Sequence, residues 1–354
     1  MAVKGNNSPT DTTAPTDPID PSGDTFGHGP RTGARLPPLH GPLTAFSLSM
    51  GVLSLATLIG LAADDRILNG APIWLKPLHF AFSLAVYSAT LAWLLPRIRR
   101  FPRTAWWAGT LIAVSSLAEA VIISVQAWRG TYSHFNTLTP TNTAFMNSMT
   151  VAVIVLWSSN FVAAVIVLRD RSLARPLRLA VRLGLVLAVV GMSLGFLMNI
   201  PTPEQQQAVD AGLPTLVGAH NVGVDDGGPG MPLTNWSTVG GDLRIPHFVG
   251  IHALQVIPLA GAALALAGRR RTTFADEGIQ ARLVLITGAA WAGLLALVTW
   301  QALRGQSLVH PDAVTLGALG ALVLAAAAAT AVVLRRGAPR SGGPRVPASA
   351  VRHP

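Results

Sequence analysis

Six of the nine histidines, His79, His134, His220, His247, His252 and His310, fall on one side of the long apolar runs that dominate this sequence. Neutral imidazole is the commonest protein metal ligand and an axial ligand of haem. A set drawn from His79, His220, His247 and His252 could therefore hold a transition metal, and His79, His247 and His252 could hold haem b. His252 lies five residues past His247, about 140° round a helix, so the two cannot share one narrow face. One would serve the bundle centre and the other would meet a loop. His252 and Gln255, at i and i+3, do share a face.

Glu119 is the sharpest single residue. It lies inside an apolar run with no basic residue in its helical neighbourhood. A carboxylate in lipid is costly, so it should face the bundle interior and either find a partner or bind a proton. Gln126 follows two turns later on the same face. Two motifs, Gln126-Ala127-Trp128-Arg129-Gly130 and Gln301-Ala302-Leu303-Arg304-Gly305, close apolar runs. Their arginines either complement a helix carbonyl end or, as a symmetric pair reinforced by Lys76 and Arg244, grip a small anionic ligand. Walker, dinucleotide-glycine, His-Glu-x-x-His and Gly-x-Ser-x-Gly motifs are absent from the sequence. The Asp225-Asp226-Gly227 run lacks the spacing of an EF-hand and reads as a turn.

These residues sit in a chain of 354 residues, half of them apolar, with 12% charged and a mean hydropathy of +0.46. A soluble domain carries about 25% charged residues. The net charge of +10 could suit nucleic acid, but the charges fall between apolar runs, where lipid topology puts them. The expected partner is the lipid bilayer, not nucleic acid. Cysteine is absent, which excludes disulfides, thiolate metal sites and a cysteine nucleophile. Arginine outnumbers lysine 24 to 2, the mark of a GC-rich bacterial genome.

Eight apolar stretches, at about 43–63, 75–95, 105–128, 145–168, 180–200, 246–268, 282–303 and 313–334, each approach the ~20 residues that cross a ~30 Å hydrocarbon core. Only helices suit runs of this length in lipid. Residues 1–42 and 337–354 are polar and read as disordered cytoplasmic tails, with no signal peptide evident in the first. Strict alternation from an inside N-terminus puts 21 basic residues in cytoplasmic segments and five outside, which sets the orientation. Trp74, Trp128 and Trp300 then mark the outer interface, and Trp93, Trp106 and Trp107 the inner one. The segment 201–245 lies outside. It opens on a helix signal at Thr202-Pro203-Glu204 and its apolar content favours an ordered cap.

The expected fold is an all-α integral membrane bundle of about eight transmembrane helices, built as two parallel four-helix repeats (43–175 and 176–336). Lys76-Pro77-Leu78-His79-Phe80 matches Arg244-Ile245-Pro246-His247-Phe248, and the two Gln-Ala-x-Arg-Gly motifs match in the same order. An even number of spans per repeat keeps both halves in one orientation. The stretch from Gly218 through Gln255, with Lys76 to Phe80, is similar to multi-span membrane proteins of GC-rich bacteria. That resemblance implies a bacterial plasma membrane and carries no activity.

Three functional readings stay open: a haem- or metal-binding redox protein, a proton-coupled transporter of a small molecule or anion, and an outward-facing membrane enzyme using Glu119 or a histidine as base. The first is the preferred reading, with His79, His220, His247 and His252 as its ligands; Glu119, Gln126, Arg129, Gln255, Gln301 and Arg304 form the expected proton or ligand site. A homo-oligomer is compatible with all three.

Overall fold

The computed structural model describes residues 38–337. Apart from 38–42 and 337, the expected tails lie outside the described residues, and His28 and His353 with them. The chain is mostly helical. Helix α1 spans Gly41–Ala63, α2 Leu75–Leu94, α3 Pro102–Trp128, α4 Pro140–Arg169 and α5 Arg175–Leu194. A short α6, Pro203–Asp210, is followed by α7 Arg244–Ile251, α8 Ala253–Gly268, α9 Glu277–Leu303 and α10 Ala313–Gly337. The described β-structure is two small antiparallel pairs, β1 (Ile67–Leu68) with β2 (Ala71–Pro72) and β3 (Asn221–Val222) with β4 (Gly241–Asp242), and isolated bridges at Asn136–Leu216 and Gly230–Ser237.

Seven helices are long and apolar enough to cross a membrane, and α7 with α8 makes an eighth if that pair, bent by 41°, counts as one span. This is the character of a multi-pass membrane protein. The first helix starts two residues before the expected run because His40 caps it: its Nδ1 accepts from the Leu43 amide (3.3 Å) and its Nε2 reaches the Trp106 carbonyl (2.9 Å). Helix α6 starts where the Thr202 signal predicts. Thr202 and Gln205 form a reciprocal capping box, which satisfies two orphan amides at once.

Helix α5 is the hub, packing against α4, α7, α8 and α9. Its buried stripe of Ala180, Gly184, Ala188 and Gly191 lets neighbouring backbones come close, the usual solution where lipid removes the hydrophobic drive between helices. A Cβ built on Gly191 would lie 2.5 Å from the Gly250 Cα, and one on Gly184 would lie 2.8 Å from the Ala253 carbonyl oxygen. The bend between α7 and α8 falls at His252, directly after this crossing. There the imidazole Nδ1–H donates to Gln255 Oε1 (3.1 Å) while Nε2 accepts from the Ser83 hydroxyl of α2 (3.0 Å). The bend is thereby tied to α2.

The helix ends nearest the tails close on an apolar cluster that includes Leu43, Phe46, Leu91, Leu94, Ile112 and Leu185. The opposite end carries the 129–139 and 195–243 segments as a folded cap. Phe135 and Thr137 pair with Val217 and Thr215 (Val217 N–H to Phe135 O, 2.7 Å; Thr137 N–H to Thr215 O, 3.3 Å). Ser307 and His310 anchor the cap to the α9–α10 turn through the Ser237 and Thr238 carbonyls (3.2 and 3.0 Å).

The α5–α7 crossing leads to a direct expectation. Gly191→Ala should lower the thermal unfolding midpoint in detergent, the overpacking costing about 1–3 kcal/mol. Gly317→Ala, whose new methyl group would meet nothing within 4 Å, should not lower it. Equal midpoints for Gly191→Ala and the unaltered protein would show that the crossing tolerates an added methyl.

Candidate functional site

Beneath the cap lies a cavity of about 1610 Å³, walled by α2, α3, α4 and the end of α5. It is larger than the ~300–1,000 Å³ of most small-molecule pockets. From Leu75 to Tyr87, both in its lining, the α2 wall extends about 18 Å at 1.5 Å per residue. The floor is semi-polar: the Tyr87 hydroxyl donates to Asn160 Oδ1 (2.6 Å), and Trp157 Nε1 donates to Ser193 Oγ (3.0 Å).

The cavity's charged groups differ sharply in how they are satisfied. Arg244 is fully engaged: it grips Asp242 through Nε (3.0 Å) and Nη2 (2.6 Å) and donates to the Asn235 carbonyl (2.6 Å). Asp242, 1% exposed, also accepts from the Ser237 amide (2.9 Å). Lys76, in the first turn of α2, has no ion-pair partner within 4.0 Å among the described residues, and it lines the cavity. Glu119 is 4% exposed; its Oε2 lies 4.0 Å from His134 Nε2, and its Oε1 is buried without a hydrogen-bond partner. The Ser116 hydroxyl, one turn earlier on α3, is likewise buried and unpartnered. The His134 Nδ1 is engaged by the Ser133 hydroxyl (3.0 Å), leaving Nε2 towards Glu119.

In the cap, Asp226 gathers four contacts that explain its loop. It accepts from the His220 amide (3.0 Å), the Asn221 amide (2.9 Å) and His220 Nδ1–H (2.6 Å), with a second contact to the His220 amide at 3.1 Å. Burial pushes the Asp226 carboxyl up, but the His220 hydrogen bond and charge and the backbone amides outweigh it, bringing the value down to about 2. Burial holds His220 below the ordinary histidine value against the pull of Asp226. His134 is held well below it, first by burial and then by Lys76 and the other cavity histidines. The result is a neutral His220 donating from Nδ1 to an ionised Asp226, with Nε2 left as a base.

Of the residues singled out from sequence, His79, Glu119, His220 and His247 line this cavity. His79 Nε2 meets the Leu233 carbonyl (2.5 Å) and His247 Nδ1 the Gly191 carbonyl (2.8 Å). His252 and Gln255 lie outside the lining, at the α7–α8 bend, where Gln255 reaches Thr90 (3.3 Å). The four histidines considered as ligands are thus directed to separate partners. Among the described residues no three His, Asp or Glu side chains are grouped to hold a metal ion.

Gln126, Arg129, Gln301 and Arg304 also lie outside the lining, and their motifs build matching helix ends. Gly130 and Gly305 take positive φ (75° and 71°) at the position after the cap. The following amides, Thr131 and Gln306, bond back to the Gln126 and Gln301 carbonyls (3.0 and 3.1 Å), a Schellman closure that requires a left-handed residue. Each glutamine side chain then donates to a carbonyl six residues on, Tyr132 (3.1 Å) and Ser307 (2.8 Å). Each arginine reaches the start of the next helix: Arg129 to Asn142 Oδ1 (3.2 Å) and Arg304 to Asp312 Oδ2 (2.5 Å).

A search of protein families, curated proteins and solved structures finds no match to this chain. The site therefore rests on its own geometry. Sequence reasoning gave little weight to Lys76, His134, Asp226 and the Tyr87–Asn160 pair. Lys76 carried a usable signal, being one of only two lysines among 26 basic residues. Asn160, an amide in the middle of an apolar run, carried another. Nothing local marked Asp226.

Both cap shifts act in one direction. Groups whose folded values are depressed leave the unfolded chain binding more protons, so stability rises with pH. The contribution of His220 is complete above the ordinary histidine value and lost as pH falls below it. That of Asp226 is lost between about 4 and about 2. Limited proteolysis within 201–245 should accelerate between about pH 7.5 and about pH 5, where histidine titrates, and less steeply in His220→Gln. A flat profile for the unaltered protein would contradict the assignment.

Proposed function

We propose that this protein binds an anionic amphiphile in the capped cavity, with Lys76 holding the negative headgroup and the membrane-embedded walls holding the chain. The observation that carries the reading is Lys76 itself, a cation lining the cavity without a carboxylate within ion-pairing distance. An unpaired charge in a largely apolar enclosure is stabilised by an opposite charge brought in from outside.

The amphiphile follows from the shape of the wall. Asn147, Thr150 and Ile154 line the cavity, yet on the helix they share the exposed face of α4 with Val151, Ser158 and Phe161. Phe196 and Asn199, also exposed, line it from the turn after α5. The cavity margin thus meets the lipid-facing side between α4 and residues 195–199, so a ligand could move in from the bilayer. The apolar cluster at the opposite end argues for binding within one leaflet over passage through the bundle.

In this reading the membrane is a bacterial plasma membrane, both termini are cytoplasmic and the cap faces outward, as the arginine distribution favours. The matched Schellman ends at Gly130 and Gly305 support a duplicated, parallel arrangement of two four-helix halves.

A long-chain fatty acid carrying a diazirine is the probe, photolysed with the full chain in liposomes. Crosslinks should map to cavity residues, Lys76→Gln should reduce them about tenfold, a loss of about 1.4 kcal/mol, and the corresponding fatty alcohol should label weakly. Equal labelling by acid and alcohol, or by Lys76→Gln and the unaltered protein, would refute the reading.

The His220–Asp226 pair favours a second reading, in which the bound amphiphile is also a substrate and His220 Nε2 acts as general base. Incubation of the purified protein with polar lipid extract should then yield a product by mass spectrometry. His220→Gln should abolish that product while crosslinking of the fatty acid persists.

A further inference from the structure

A second concavity lies at the other end of the bundle. Between the first turns of α5 and α9, a cavity of about 320 Å³ is lined by Arg175, Arg178, Arg182 and Arg282, with Leu179 and Leu285 beside them. Arg175, Arg178 and Arg182 stand at i, i+3 and i+7, so α5 presents all three on one face. Arg282 comes from α9.

No carboxylate balances this charge. None of the four arginines makes an ion pair within 4.0 Å among the described residues. Arg178 donates to the Leu173 and Arg171 carbonyls (2.8 and 3.2 Å), and Arg182 to the Asp170 carbonyl (2.8 Å), so these two are oriented by the end of α4. Arg175 and Arg282 are exposed and make no side-chain hydrogen bond among the described residues. The nearby acids are directed elsewhere: Asp276 caps α9 by accepting from the Ile279 amide (2.8 Å), and Asp170 accepts from the Arg99 and Arg100 amides (3.0 and 2.8 Å). Glu277, in the first turn of α9, pairs with none of the four.

We infer that this arginine cleft is a binding site for the phosphate headgroup of an anionic phospholipid, in the leaflet opposite the capped cavity. Guanidinium groups match phosphate oxygens with paired, charge-assisted hydrogen bonds. Basic pockets between membrane helices suit anionic lipid headgroups for this reason. The volume is at the small end for ligand sites, a size for a headgroup and not a whole lipid. Leu285, exposed one turn from Arg282, continues the cleft as apolar surface where an acyl chain would lie. The inference is independent of the ligand assigned to the capped cavity.

The test uses the full chain in neutral detergent, with native mass spectrometry reporting adducts of short-chain phosphatidylglycerol, short-chain phosphatidylcholine and inorganic phosphate. Phosphatidylglycerol should bind at least about tenfold more tightly than phosphatidylcholine, a difference of about 1.4 kcal/mol. Arg175→Gln with Arg282→Gln should remove that preference. Both side chains are exposed and unbonded, and an unchanged unfolding midpoint confirms that the double variant is folded. Arg100→Gln with Arg103→Gln, a like loss of charge at and just before the start of α3, should keep the preference. Equal binding of the two lipids, an intact preference in the Arg175/Arg282 variant, or its loss in the Arg100/Arg103 variant would overturn the site. Inorganic phosphate binding as tightly as phosphatidylglycerol would overturn the lipid assignment in favour of a soluble anion.

Discussion

Hydrocarbon offers no hydrogen bonds, and the polar groups within the described helices are placed accordingly. Within the bundle, helix backbones satisfy themselves, and many hydroxyl groups bond back to carbonyls one turn earlier, as Ser115 does to Leu111 and Thr299 to Leu295. Polar side chains that cannot do so are paired between helices, like Tyr87 with Asn160. Of those left over, the Lys76 ammonium and the Glu119, Ser116 and Asn221 oxygens belong to residues that line one cavity, whereas the buried Ser88 hydroxyl of α2 lies outside its lining.

Close packing elsewhere makes that cavity tenable. Glycine and alanine on α5 bring α7 and α8 nearly into backbone contact, and the Gly191 carbonyl, accepting from His247, joins the crossing to the cavity wall. The bend at His252 turns α8 away and accepts a hydrogen bond from the Ser83 hydroxyl of α2. One histidine of the Pro-His-Phe segment thus orients a wall residue, while the next fixes the helix break. The cap closes the arrangement from above through backbone pairing with the 129–139 segment and through Asp226 and Asp242, each of which accepts from two backbone amides. Neither aspartate is free to act on a ligand by itself.

The charge distribution divides the molecule into two chemically different ends. At the capped end, three of the arginines are paired with carboxylates, Arg66 with Asp64, Arg244 with Asp242 and Arg304 with Asp312, while Arg129 donates to Gln126 and Asn142. At the other end, the arginines of α5 and α9 outnumber nearby acids and meet carbonyls or open space. Lys76, like Arg129, makes no ion pair among the described residues there, and it faces a cavity that Glu119, Glu204, Asp225 and Asp226 also line. The contrast distinguishes charge used to fold a segment from charge left to meet something else.

Hydropathy alone located seven long apolar helices, because some twenty apolar residues in succession have few other stable arrangements in lipid, but the sixth expected run, 246–268, is two helices bent by 41° at His252. The Thr202 cap signal and the helix ends at Gly130 and Gly305 were legible for a similar reason: each depends on residues within one or two turns. The site was legible only in part. Glu119 and three of the four candidate ligand histidines do reach the cavity, but a histidine's partner is set by which helix crosses it and at what angle. His252 bonds to a residue 169 positions away, and His79 to one 154 away. Sequence spacing along one helix cannot supply such distances. Similarly, Asp226 read as a plain turn residue because its role depends on a cap that exists only once the helices beneath it are assembled. Local patterns determined the elements, and tertiary packing decided which of their polar groups were satisfied and which were left facing the cavity.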